Sequence, residues 1–245
     1  MDAFLTDAVC DPPGAGHERY FTEELVRLPS QFCYVPPAHL PASEGTPARR
    51  RGYIVFGVFN QYRKFTDEML SVWREIMDRV PASRLLLKSQ VFFAGEMRAA
   101  AEERLRRLGF DLERVLLEPA DTGYMRRYLD VDIALDTFPW PGGGTTCDAL
   151  YMGVPMVTRY AARRSTRFGC AFLSHIGLAE LAAMGTEDYI ALAAALAGDL
   201  DTLDDLHRGL RGMMERSPLM DQKGYMRALE DAYRRFAAVG SERTI

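Results

Sequence analysis

Several features that would decide a function class are missing from this 245-residue sequence. No apolar run reaches the roughly 18 to 20 residues that cross a bilayer, so no membrane partner is expected. The four cysteines, Cys10, Cys33, Cys147 and Cys170, show no CxxC spacing. That argues against a zinc site or a disulfide framework and fits a reducing cytoplasm. His17, His39, His175 and His207 are equally dispersed, and none has a metal-ligand partner at helical spacing. Each reads as a surface or hydrogen-bonded residue. An excess of one charge is missing too: the formal net charge is -4, which calls for neither nucleic acid nor an acidic membrane. The run Arg49-Arg50-Arg51 is short and reads as a solvated linker. The first residues carry no basic segment followed by an apolar core, so no signal peptide is expected.

What is present is ordinary for a soluble globular protein, with 48% hydrophobic and 26% charged residues. The length suffices for one large domain or two small ones. Residues 1–50 are broken by DPPGAGH and PPAHLPASEGTPARRR and read as a linker with short ordered pieces, such as Thr22 to Leu28. From Tyr53 the pattern becomes an alternation of strand and helix. Buried strands are expected at 53–59, 84–88, 114–118, 131–137 and 154–158. Helices are expected at 66–80 behind a Thr66 cap, at 95–109 ending on Gly109, at 124–129 and at 145–153. Four more follow at about 165–175, 186–199, 201–215 and 222–238. Such alternation predicts an α/β fold, a Rossmann-like parallel sheet flanked by helices. The organisation divides at 51–216 for that unit and 217–245 for a terminal helical segment. No internal repeat is present.

In parallel sheets ligands bind beyond the carboxyl ends of the strands, where FNQYRK (59–64) and PGGGTT (141–146) fall. Glycines 142–144 offer backbone angles that side chains forbid, and Thr145 or Thr146 is expected to cap the next helix. The first N–H groups of that helix lack internal partners and, with the helix dipole, favour an anion. Taken alone, the glycine run is equally a tight strand-to-helix turn. It is neither a P-loop nor a GxGxxG fingerprint. Gln61 supplies an amide and Lys64 a point charge suited to phosphate. Lys64 alone reads as a solvated lysine; two phosphate-friendly elements at one sheet edge favour the phosphate. Asp130 and Asp132 could suggest a metal, but they straddle the start of a strand at the opposite edge. No metal is expected.

FGVFNQYRKFTDEMLSVWREIMDRVPASRLLLK, VDIALDTFPWPGGGTTCDALYMGVPMVT and RFGCAFLSHIGLAEL resemble the carboxyl-terminal catalytic lobe of bacterial-type protein O-GlcNAc transferases, glycosyltransferase family 41. SPLMDQKGYMRALEDAYRRF (217–236) is similar to that family's last helical segment, and residues 4–37 to the stretch joining its two catalytic lobes. The resemblance implies the carboxyl-terminal lobe of a GT-B enzyme, with residues 1–50 a linker and remnant of the first lobe. It implies transfer of GlcNAc from UDP-GlcNAc to protein Ser or Thr hydroxyls, inverting and without metal or other cofactor. Gln61 and Lys64 match residues that bind the diphosphate, with Lys64 the catalytic charge that stabilises departing UDP. Thr145, beside Thr146, matches the phosphate-binding helix start, Asp148 the acid facing the ribose, and Lys88 lies near the uridine region. Gly144 stands where many members have a further threonine, Tyr124 where the family often has a histidine, and Asp121 where some have a lysine. Asp121 near a diphosphate would be repulsive unless it points away. Set against that family, most of the first catalytic lobe and any helical-repeat module are expected to be missing from these 245 residues. The alternative is therefore a nucleotide-sugar-binding module, or a fragment inactive alone.

Overall fold

The computed structural model describes residues 2–242. Two strands, β1 (Ala3–Asp7) and β2 (Glu24–Leu28), come first, then a one-turn helix α1 (Ala48–Arg51). The main unit follows as β3 (Ile54–Val58), α2 (Asp67–Arg79), β4 (Ser83–Lys88), α3 (Gly95–Arg107), β5 (Val115–Glu118), α4 (Tyr124–Arg127) and β6 (Ile133–Leu135). It continues with α5 (Gly144–Tyr151), β7 (Met156–Arg159), α6 (Phe168–His175), β8 (Ala182–Ala183), α7 (Thr186–Gly198) and α8 (Leu200–Glu215), and the last helix is α9 (Gln222–Glu242). Among the described residues, no helix is long and apolar enough to cross a membrane.

Six strands form one parallel sheet in the order β5-β4-β3-β6-β7-β8. This is the doubly wound Rossmann order, whose direction of winding reverses between β3 and β6. Every residue of β3 is buried, as expected of a strand covered on both faces. Gly57 is needed there because a Cβ would lie 2.7 Å from Val131 Cγ1. The Thr66 hydroxyl accepts from Met69 N at 3.2 Å and caps α2. Met69, Leu70, Trp73, Ile76 and Met77 form that helix's buried stripe. Gly109 follows α3 with φ +82°, the left-handed turn that glycine makes at least cost.

Three elements differ from expectation. Residues 1–50 contain paired strands: β1 and β2 lie parallel and share a small apolar cluster with α9, built on Val26, Leu28 and Ala232. The two-residue strand β8 arises within an Ala-rich stretch. The strand expected at 131–137 shortens to Ile133–Leu135, since Asp132 turns its side chain to the preceding segment. The buried Asp132 carboxylate accepts from Thr46 Oγ1 (2.7 Å), Ala48 N (2.7 Å) and Val55 N (2.8 Å), and pairs with Arg51. His207 donates through Nε2 to the Asp132 carbonyl at 2.8 Å, leaving Nδ1 to accept from Ser43 Oγ at 3.2 Å. Both bonds suit a neutral ring, and burial pulls its pKa below the usual histidine value. This network pins residues 43–51 to the amino edge of the sheet.

Candidate nucleotide site

At the carboxyl edge a cavity of about 870 Å³ opens where β3, β4 and β6 end. Gln61, Lys64, Lys88, Tyr124, Gly144, Thr145 and Asp148 all line it. Thr146 does not; its side chain is fully buried beneath the glycine turn.

The turn is built differently from expectation. None of Gly142, Gly143 and Gly144 has a positive φ, so left-handed backbone is not what glycine provides here. At Gly142 the reason is space: a Cβ would come 2.4 Å from Thr146 Oγ1 and 2.9 Å from Thr145 Oγ1. Gly143 and Gly144 face open space, so their bareness leaves room for a ligand against the backbone. The helix α5 starts at Gly144 behind Gly143, with no side-chain cap. Thr145 and Thr146 therefore sit inside the first turn rather than capping it. The N–H groups of Gly143, Gly144 and Thr145 have no acceptor among the described residues. Thr146 Oγ1 also lacks a partner, but it is sealed beneath the turn. Together with the helix dipole the three N–H groups form an anion-binding cradle.

Lys64 stands beside that cradle. It lies in a short turn after β3, and its Nζ donates to the Pro141 carbonyl at 2.8 Å and reaches Asn60 Oδ1 at 3.5 Å. Burial lowers its pKa from the usual lysine value. Asn60 also accepts from Thr145 Oγ1 at 3.4 Å, tying the lysine turn to the helix start. Asn60 escaped notice in the sequence, since a single amide before Gln61 carries no pattern.

Asp136 is the other residue that sequence reasoning missed. Fully buried at the end of β6, its carboxylate accepts from Gly142 N (2.7 Å), Thr137 N (2.8 Å) and Thr158 Oγ1 (2.8 Å). Those bonds fold residues 137–142 back over the strand end and so place the Pro141 carbonyl that holds Lys64. Burial raises the Asp136 pKa to about 6, against the lowering effects of these bonds and of the Lys64 charge.

Toward the other side of the cavity, Asp148 accepts from Tyr34 OH at 2.7 Å and Tyr124 OH at 2.9 Å. Burial raises the pKa of Asp148, and burial with the Asp148 bond pushes Tyr124 up to about 12. Lys88 Nζ donates to the Pro119 carbonyl (2.8 Å) and to Asp121 Oδ2 (2.7 Å), with Glu118 at 3.6 Å. Asp121 therefore turns to Lys88 rather than to the cradle, and that hydrogen bond lowers its pKa. Asp130 pairs with Arg127 and, like Asp132, lies away from the cavity. Among the described residues no group of three or more His, Cys, Asp or Glu side chains is arranged to hold a metal ion.

Comparison with known proteins bears on the family and the fold. The profile of Glycosyl transferase family 41 matches residues 47–229. A rice (Oryza sativa subsp. japonica) protein named "Probable UDP-N-acetylglucosamine--peptide N-acetylglucosaminyltransferase SPINDLY" is 40% identical over 96% of this chain and 26% of its own length. Among solved structures, an O-GlcNAc transferase from Thermobaculum terrenum superposes with a TM-score of 0.85 at 34% identity, covering 96% of this chain and 45% of that one. WaaG, a glycosyltransferase of lipopolysaccharide biosynthesis, shares the fold with a TM-score of 0.63 at 13% identity, covering 92% of this chain and 61% of that one. The fold is that of a GT-B glycosyltransferase lobe. The chain spans about a quarter of the length of the curated relatives it matches.

Proposed function

Because the chain belongs to glycosyltransferase family 41, we propose that its cavity is the donor site of a UDP-GlcNAc-dependent transferase acting on protein Ser and Thr hydroxyls. The observation that carries this reading is the convergence of three unpartnered N–H groups and Lys64 on one spot. The N–H groups have no acceptor and Lys64 has only neutral oxygens, whereas a diphosphate is an acceptor with matching charge. Lys64 exchanges the Pro141 carbonyl for a phosphate oxygen and stabilises the charge that grows on UDP as the glycosidic bond breaks. The helix start supplies the remaining positive potential, so no divalent ion is required. Gln61, Gly144 and Thr145 line the diphosphate. The nucleoside extends toward Lys88, Tyr124 and Asp148, where Asp148 exchanges tyrosine hydroxyls for ribose hydroxyls.

As an isolated chain the protein is a binding module without transfer. What favours this second reading is that, among the described residues, 2–50 supply only two strands, a 3-10 turn at His17–Tyr20 and the start of a one-turn helix, too little to build a wall that orients an acceptor. Calorimetry with UDP, in the presence and absence of EDTA, tests the donor site. Binding that persists in EDTA is the expected result, and a strict metal requirement refutes the electrostatic role given to Lys64 and α5.

A further inference from the structure

Beyond Lys64, on the side away from the nucleoside, a second cavity of about 520 Å³ is lined by Arg63, Lys64, Trp140, Pro141, Ser165 and Phe168. A third, of about 310 Å³, shares Ser165 with it and carries His17, Tyr20, Arg163 and Arg164. The two form a strip leading away from the donor site. Two of its guanidiniums, those of the exposed Arg63 and Arg163, have neither a hydrogen bond nor an ion-pair partner among the described residues. The single carboxylate on the strip, Asp11, is fully buried and already satisfied by Arg164 (2.8 Å), His17 (2.9 Å) and Thr6. Arg63, Lys64, Arg163 and Arg164 thus face one neutralised acid, on a protein whose overall charge is -4. Trp140 is 57% exposed in the middle of this strip, and Phe168 beside it carries the Arg164 guanidinium 5.3 Å over its ring.

We propose that this strip receives the acceptor as an extended acidic polypeptide segment, with carboxylates on Arg63 and Arg163 and an apolar side chain on Trp140. The inference rests on the reading that Lys64 holds the donor diphosphate, because that places the reactive end of the donor at the head of the strip. Guanidinium groups pair with carboxylates in a planar, two-pronged geometry that a lysine cannot reproduce. An unpaired exposed guanidinium costs nothing to leave in water, and it gains when a carboxylate arrives together with apolar contact. The shared lysine and the shared Ser165 make the path continuous from donor to strip.

The protein carries its own reporter. It has two tryptophans; Trp73 is fully buried and Trp140 is exposed, so fluorescence titration reads the strip. The full chain is titrated with a decapeptide whose central threonine is flanked by glutamates, and with its glutamine and lysine counterparts, with saturating UDP-GlcNAc present and absent. The glutamate peptide is expected to quench Trp140 and bind about five- to tenfold more tightly than the glutamine peptide at low salt, the yield of two exposed ion pairs. The preference fades as salt shortens the screening length. Arg163→Ala is expected to lower the glutamate preference about threefold, leaving UDP-GlcNAc affinity unchanged by calorimetry. Equal affinity for the three peptides, an Arg163→Ala variant that keeps the full preference, or displacement of the peptide by UDP-GlcNAc overturns the proposal. If UDP-GlcNAc fails to bind while the glutamate preference persists, the donor assignment falls and the acidic-segment strip stands. The reverse outcome sinks the strip alone.

Discussion

Replacing Asp136 by asparagine separates the shape of the glycine turn from the charge beneath it. An asparagine Oδ1 can still accept from Gly142 N and Thr137 N, and its amide can donate to Thr158 Oγ1, so the turn keeps its bonds. What disappears is a fully buried carboxylate whose pKa stands at about 6 instead of 3.8. That difference means the folded state binds the proton more tightly than the unfolded chain by about 3 kcal/mol. Linkage then fixes the sign. Between pH 3.8 and about 6 the folded state holds more protons, so this group's contribution to stability falls as pH rises through that window. Above it, the ionised carboxylate costs the fold the whole amount. The neutral amide mimics the protonated acid at every pH. The Asp136→Asn variant is therefore expected to be more stable than the parent at pH 7.5, by up to about 3 kcal/mol, with the gain vanishing near pH 4. Urea unfolding followed by circular dichroism at both pH values measures this directly. An asparagine variant that is less stable at pH 7.5, or one whose gain is the same at pH 4, refutes the account of Asp136 as a buried, ionised anchor.

The same site yields three further expectations. Lys64→Ala should weaken UDP binding by about 1.5–3 kcal/mol, the range for a hydrogen bond to a charged group, and leave uridine binding nearly unchanged; equal losses by calorimetry would mean that the substitution acts through the fold. Gly142→Ala drives a Cβ to within 2.4 Å of Thr146 Oγ1 and should destabilise the protein by about 1–3 kcal/mol, as overpacking does. Gly144→Ala, at a helical position with nothing within 4 Å, should leave the urea midpoint almost where it was. The purified chain should not label peptides from UDP-GlcNAc above a Lys64→Ala control, since orienting an acceptor accounts for roughly 7–11 kcal/mol of such a barrier; strong Lys64-dependent labelling would show that a second copy or the β1–β2 segment completes the site.

The central sheet was legible because burial writes itself into composition. The fully apolar run of β3, the Leu run of β4 and the helical stripe of α2 each carry a period or a continuity that admits one reading. Gln61, Lys64, Gly144 and Thr145 could be singled out because two segments at one sheet edge pointed to phosphate, the family resemblance added Lys88, Tyr124 and Asp148, and all seven line one cavity. Asp136 was not, since its importance lies in bonds to Gly142 and Thr158, residues whose meeting depends on the tertiary fold. The capping of α5 was misplaced for a related reason: Asp136, from the strand end, shapes the turn, and the threonines fall inside the helix. The strands β1 and β2 hid among Pro and Gly, and their apolar faces make sense only against a helix some 200 residues later. The strand β8, two alanines long, has no local signature at all.

That late helix ties the chain into a long loop. The chain passes from β2 through the whole six-stranded unit before α9 returns to cover Val26 and Leu28, with Arg235 reaching Glu24 at 2.8 Å. A contact between segments so distant along the chain carries a large closure entropy until the intervening sheet has brought its ends together. The small β1–β2–α9 unit is therefore expected to assemble late and to open before the six-stranded unit does. Its amides should exchange with solvent through openings far cheaper than global unfolding, while those of β3 and β4 wait for the whole lobe to come apart. A local loosening there would free both flanks of the lobe at once.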